Sequence, residues 1–171
     1  MRAVNGEMRM NFRITLVLFL FLFVFNGMVF SGESPLVIII PSKEVTVVKG
    51  QSAQLSVRIK IKKGFHIQAN PASDEFLIPT TLTVVAGNDI VPGKPVYPGG
   101  HPYRLKGATD DLLTYEDEVT ISLPVTVMHS AQAGMVSVTG KLRFQPCDDR
   151  TCLFPRSIPV EIPVKIVELQ K

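Results

Sequence analysis

Tryptophan is absent from the 171 residues, and only two cysteines, three tyrosines and three histidines occur. Without tryptophan, the antibody-domain arrangement of an indole packed on an inter-sheet disulfide is excluded. Three scattered histidines, His66, His101 and His129, with six methionines of which several lie near the start, make no metal cluster. Lysine and arginine form no dense patch. Lys60, Lys62 and Lys63 read as one solvated strand edge, so no nucleic-acid partner is expected. No Ser-His-Asp arrangement, phosphate-cradling glycine loop or glycosidase-like carboxylate pair is found, and Gly99-Gly100 is a turn signal. No cofactor and no bound metal are expected, a copper or zinc site being the weakest reading that the composition allows. After the first thirty residues no stretch combines a helical period with caps.

What is present begins with a targeting segment. Arg2, Arg9 and Arg13 precede Ile14 to Phe25, an apolar run broken only by Thr15. Asn26 and Gly27 interrupt the run, and the small residues Ser31 and Gly32 come next. This is the pattern of a secretory signal peptide cleaved after Ser31. Residues 1–31 are therefore expected as the signal and 32–171 as a single domain. Extended to Phe30, the run reaches the low edge of bilayer-spanning length, so an uncleaved anchor is the alternative. No cysteine follows the cleavage point, and a lipid anchor is not expected. In either form the remainder is expected in the periplasm or an equivalent extracytoplasmic space, where disulfides persist. The net charge of +3 owes much to Arg2, Arg9 and Arg13, and the chain beyond the signal is nearly neutral.

Alternation with period two dominates the rest. In Ser52 to Lys62, Ala53, Leu55, Val57, Ile59 and Ile61 share one face, with Gln54, Ser56, Arg58 and Lys60 on the other. Val119 to Val127 repeats the pattern. Val136, Val138, Leu142 and Phe144 do so again, with Gly140 where a side chain is expected. Ile158, Val160, Ile162, Val164 and Ile166 close the series; Pro159 and Pro163 on their other face predict an edge strand. Leu36 to Ile40, Glu44 to Val48, Phe65 to Gln68 and Leu77 to Val85 are weaker strand candidates. Many short strands separated by Gly, Pro and Asn predict an all-β fold, an immunoglobulin-like antiparallel β-sandwich. Val91 to Leu113, rich in proline and glycine, resists this scheme and reads as a long functional or mobile loop.

Cys147 and Cys152 lie in the segment joining Met135–Gln145 to Ser157–Glu168. Antiparallel neighbours without mutual hydrogen bonds sit about 4.5 Å apart at Cα, within disulfide reach. So small a ring stabilises little: about 2 kcal/mol in the chain-entropy treatment, against about 4.7 for a hundred-residue loop. The spacing alone leaves two readings open, a passive hairpin clip, the commoner case, and a pair that opens and closes. Arg143, Arg150 and Arg156 favour a thiolate, Asp148 and Asp149 oppose it, and the balance is undecided.

A resemblance separates the two readings. Phe144-Gln145-Pro146-Cys147-Asp148-Asp149-Arg150-Thr151-Cys152-Leu153-Phe154-Pro155, with Ile158-Pro159-Val160-Glu161-Ile162-Pro163-Val164 behind it, resembles the N-terminal periplasmic domain of the thiol:disulfide interchange protein DsbD. Gly64-Phe65-His66-Ile67-Gln68-Ala69-Asn70-Pro71, Glu75 to Thr80, Tyr97-Pro98 and Leu113-Thr114-Tyr115-Glu116 are similar to earlier parts of that family. The likeness covers most of Val37 to Val167, and its cysteine block is the most specific part. It implies a sandwich whose Cys147–Cys152 pair relays reducing equivalents. The donor would be a thioredoxin-like domain or a membrane electron transporter. The acceptors would be periplasmic disulfide-containing proteins, isomerases and cytochrome-maturation proteins among them. By position, the resemblance makes Cys152 the residue joined to a partner and Cys147 the resolver. It also implies a shielding loop, Tyr97–Leu113 with Tyr103 or Leu105 as its lid, over a floor of Phe65 and Ile67. The sequence departs from the family's familiar form in having one residue fewer between the cysteines. The sequence holds neither the family's membrane domain nor its C-x-x-C thioredoxin domain, and if it is a complete protein, a donor on a separate polypeptide is expected.

Other residues are expected to play ordinary parts. His66 alternates with Phe65 and Ile67 and reads as a surface or half-buried histidine; His101 and His129 read as solvated. Asp110-Asp111 and Glu116-Asp117-Glu118 read as solvated turns. The alternative function is a non-enzymatic, immunoglobulin-like protein-binding domain in which the disulfide is only a hairpin clip.

Overall fold

The computed structural model describes residues 34–169, apart from 86 and 88; the expected export signal lies outside the described residues. Within the unit Pro35–Lys171, every regular element among the described residues is a strand. In chain order these are β1 (Val37–Ile40), β2 (Val45–Val48), β3 (Ser52–Ile61), β4 (His66–Gln68), β5 (Thr81–Val84) and β6 (Ile90–Pro92). The second half holds β7 (His101–Tyr103), β8 (Leu112–Tyr115), β9 (Glu118–Val127), β10 (Gly134–Phe144), β11 (Pro146–Cys147) and β12 (Arg156–Val167). One sheet is ordered β1-β3-β9-β6 and a second β2-β12-β10-β5; a small third sheet is ordered β11-β4-β8-β7. Every pairing is antiparallel except that of β2 with β12.

The two larger sheets exist because their long strands each carry one apolar face that must leave water. Leu55, Val57 and Ile59 of β3 and Ile121 and Leu123 of β9 are buried with Leu142 and Phe144 of β10 and Ile162, Val164 and Ile166 of β12. They form one core, and the result is the immunoglobulin-like β-sandwich expected from the alternation. Gly140 interrupts the apolar face of β10 for a steric reason. A Cβ there would lie 2.5 Å from the Thr83 carbonyl oxygen of neighbouring β5.

Four sequence expectations need correction. The proline-bearing last strand is not an edge: β12 lies between β10 and β2. The prolines are tolerated because β2 joins only along Val164–Val167, beyond Pro159 and Pro163, which face β10 alone. Lys60 is exposed, but β3 runs between β1 and β9 and is not an edge either. Leu77 to Val85 is a strand only over Thr81–Val84, because Asp74 turns the chain by accepting from the Phe76 and Leu77 amides. The Val91–Leu113 segment is more ordered than its prolines suggest. It contributes β7, pairs β6 with β9, and bridges Val96 to Ser122. Tyrosine hydroxyls hold it down: Tyr97 accepts the Leu82 amide at 2.8 Å, and Tyr115 donates to the Pro98 carbonyl at 2.9 Å. At Gly100 a Cβ would sit 2.5 Å from that of Ala69, so only glycine lets this segment approach β4 so closely.

Candidate functional site: a disulfide hairpin on the small sheet

Strands β10 and β12 part after the pair Phe144–Arg156, and the chain between them folds back on itself as a separate hairpin. Its rungs are Leu153 N–H to Pro146 O at 2.7 Å and Asp148 N–H to Thr151 O at 3.0 Å. Cys147 and Cys152 face each other between those rungs, the antiparallel position without mutual hydrogen bonds, with Cα atoms 3.9 Å apart. They are joined as a disulfide. Asp148 makes so tight a turn possible. Its Oδ1 accepts the amides of Arg150 and Thr151, both at 2.8 Å, as short Asx side chains do in turns. Gln145 fixes the hairpin's stem: its Nε2 donates to Leu153 O at 3.3 Å, its Oε1 accepts the Ile78 amide at 2.8 Å, and its carbonyl accepts the Gln68 amide.

The hairpin docks on β4, with Pro146 opposite Ile67 and Cys147 opposite His66. Successive residues of a strand face opposite ways. Phe65 and Ile67 therefore belong to the core side: Ile67 is fully buried and Phe65 packs against the core. They are not the floor beneath the sulfurs. That position belongs to Gln68, whose Nε2 donates to Cys147 Sγ at 3.1 Å and Cys152 Sγ at 3.4 Å. Gln68 is 0% exposed, and its Oε1 has no protein partner. Its carbonyl accepts both the amide and the hydroxyl of Thr80, at 3.2 and 2.6 Å. No sequence signal distinguishes Gln68 from the polar residues that alternate outward along the long strands β3 and β9.

The two sulfurs are not equivalent. Cys147 is 0% exposed, whereas Cys152 is half-buried and borders a shallow groove with Gln145, Leu153, Phe154, Pro155 and Arg156. Phe154, at 91% exposed, stands at its side. Arg143, Arg150 and Arg156 are all exposed, and among the described residues no cation donates a hydrogen bond to either sulfur.

The segment expected to shield the pair is fastened next to it. Tyr103, half-buried at the end of β7, stacks on the His66 ring with centroids 3.6 Å apart. Leu105 is half-buried two residues on. Lys106 donates its amide to the Asp149 carbonyl at 2.8 Å, and its ammonium pairs with the Asp149 carboxylate. That contact raises the lysine's pKa and lowers the aspartate's. Under Tyr103, His66 is 8% exposed, more deeply buried than the surface or half-buried histidine its alternation predicts. Burial lowers its pKa, although Glu116, 3.6 Å from Nδ1, and Asp117 pull the other way. His101 and His129 are exposed, as expected. The acidic residues are exposed too, but several are engaged: Asp111 with Arg104 at 2.7 Å and Glu118 with Arg58 at 3.3 Å.

Fold and site together define an immunoglobulin-like β-sandwich that carries a cysteine pair on a hairpin at one end. The model of the family described as thiol:disulfide interchange protein DsbD, N-terminal, matches residues 38–162, and the chain belongs to that family. It is thus a thiol–disulfide interchange domain. Among solved structures, the reduced N-terminal domain of DsbD from Neisseria meningitidis is similar at 16% identity over 64% of this chain and 76% of that one, with a TM-score of 0.38. A family 123 glycoside hydrolase from Clostridium perfringens is similar at 8% identity over 76% of this chain and 23% of its own, also with a TM-score of 0.38. No curated protein sequence matches the chain.

Proposed function

We propose that this chain is an exported thiol–disulfide relay module. Residues 1–31 direct it out of the cytoplasm, and residues 32–171 work in the periplasm or an equivalent space. A thioredoxin-like protein or a membrane electron transporter reduces the Cys147–Cys152 disulfide, and the resulting dithiol reduces disulfides in other exported proteins. The observation that carries this reading is the asymmetry of the pair: a half-buried Cys152 beside a groove and a sealed Cys147 behind it.

The asymmetry supports an order of events. A donor thiolate attacks Cys152 Sγ, forming the mixed disulfide while the bond to Cys147 breaks and its electron pair stays on Cys147 as a thiolate. The donor's second thiol then attacks the mixed disulfide, leaving the donor oxidised and both cysteines reduced. Toward an acceptor the roles reverse: Cys152 attacks and Cys147 resolves. Tyr103 and Leu105 act as the cap, held by the His66 stack and the Lys106–Asp149 contacts until a partner displaces it.

Trapping in cell envelopes tests the reading. Reduced Cys147→Ser retains only Cys152 and is expected to accumulate mixed disulfides with a thioredoxin-like protein, and Cys152→Ser is expected to accumulate few. Equal yields from the two variants would overturn the assigned order. A partner that binds the Cys147→Ser/Cys152→Ser double variant as well as the native chain, with no thiol exchange by the latter, would leave only a binding domain.

A further inference from the structure

We propose that the side-chain amide of Gln68 receives the thiolate that leaves on Cys147 when the disulfide is opened. The inference rests on the relay reading and assigns to that site a residue beyond the two cysteines. When a partner's thiolate bonds to Cys152 Sγ, the sulfur–sulfur bond breaks and Cys147 departs with the electron pair. That charge develops on an atom with no exposure to water. Desolvation alone raises a thiol's pKa and makes it a poor leaving group.

Among the described residues only Gln68 offers a side-chain donor to the sulfurs, its Nε2 lying 3.1 Å from Cys147 Sγ and 3.4 Å from Cys152 Sγ, so that one N–H is shared between them. The amide is placed before reaction, as effective charge stabilisation requires. The Gln68 main chain is fixed by Gln145 and by both donors of Thr80, and its side chain is wholly buried. Its Oε1 is left without a protein partner, so the amide is aimed by the sulfurs and not by another acceptor or donor. A methionine or leucine of similar size would fill this space without a stranded oxygen. One donor beside both sulfurs also serves the return step, when the charge sits on Cys152 before it attacks an acceptor.

The test is the rate at which a small dithiol reduces the purified protein's disulfide, in native protein, Gln68→Met and Gln68→Leu, with folding checked by thermal melting. Both variants lack the donor in any protonation state, and each is expected to react on the order of ten- to a hundred-fold more slowly, the scale of one hydrogen bond to a buried charge. Native rates in folded Gln68→Met or Gln68→Leu would overturn the proposal and leave the relay reading standing. Failure of the native disulfide to exchange, even with the dithiol in excess, would bring down the relay reading itself. Should neither variant fold, Cys152→Ala on the otherwise native chain decides, through the ultraviolet absorbance of the Cys147 thiolate against pH. A buried Cys147 that ionises near or below the ordinary value of about 8.5 supports a donor at its sulfur. Ionisation well above that value excludes an effective one.

Discussion

The sandwich and the small sheet at its end are built by different forces. Strands β3, β9, β10 and β12 run for 10 to 12 residues, and alternate side chains along each enter a common apolar core. Strands β4, β7, β8 and β11 have only two to four residues each, and they add few side chains, Ile67 and Tyr115, to that core. Beyond their ladder pairing, side-chain hydrogen bonds to the main chain hold them: those of Gln145, Thr80, Asn70 and Tyr115. Apolar contacts are non-directional and tolerate small shifts, whereas hydrogen bonds specify particular atoms. The rigid, long-strand part can therefore be stable without being precise, and the small sheet supplies precision where the sulfurs sit.

Cutting into the core should produce the largest effect. Leu55→Ala is expected to cost about 2–5 kcal/mol in denaturant unfolding, while the folded fraction keeps native thiol exchange. A native-like midpoint would mean that β3 is not the keel of the sandwich. Removing the disulfide tests the small sheet from the other side. Cys147→Ser/Cys152→Ser should lose about 2 kcal/mol at most and all exchange activity. A far larger loss would make the pair a structural staple. Tyr115→Phe strips the partners from the Asn70 amide and the Pro98 carbonyl. Its expected cost is about 1–2 kcal/mol, with local amide exchange quickening around β7 and β8 before it does in β3 or β9.

The smallest effect is a pH dependence. Burial lowers the His66 pKa below its value in the unfolded chain, so the unfolded state takes up the proton more readily. The stability this contributes is present above about pH 6.5 and is lost as pH falls toward the lower folded value. Melting temperatures across that window should fall more steeply for the native protein than for His66→Gln. Parallel curves would show that Glu116 and Asp117 offset the burial.

The same contrast explains what can be read from residues alone. Alternation at Leu55, Val57 and Ile59, or at Ile162, Val164 and Ile166, is a repeated signal, and it leads directly to the sandwich. The two prolines of β12 mislead because edge character is a property of each half of that strand, and β2 covers only the second. Around the cysteines the pattern carries less. Phe65 and Ile67 are apolar near neighbours, which suits a floor, yet strand alternation turns them away from the sulfurs and Gln68 toward them. His66 is expected near the surface because nothing in its own segment foretells the Tyr103 ring that covers it. Neither a glutamine's burial nor a stack between rings so distant in the chain leaves a local trace; both are consequences of tertiary packing.

The hairpin's rungs and its Asp148 turn do not pass through sulfur. Losing or regaining two electrons thus changes one covalent link inside a backbone already held at both ends. Such a scaffold keeps reorganisation small, so the free-energy difference between donor and acceptor, and not the labour of refolding a loop, would set the direction in which charge flows.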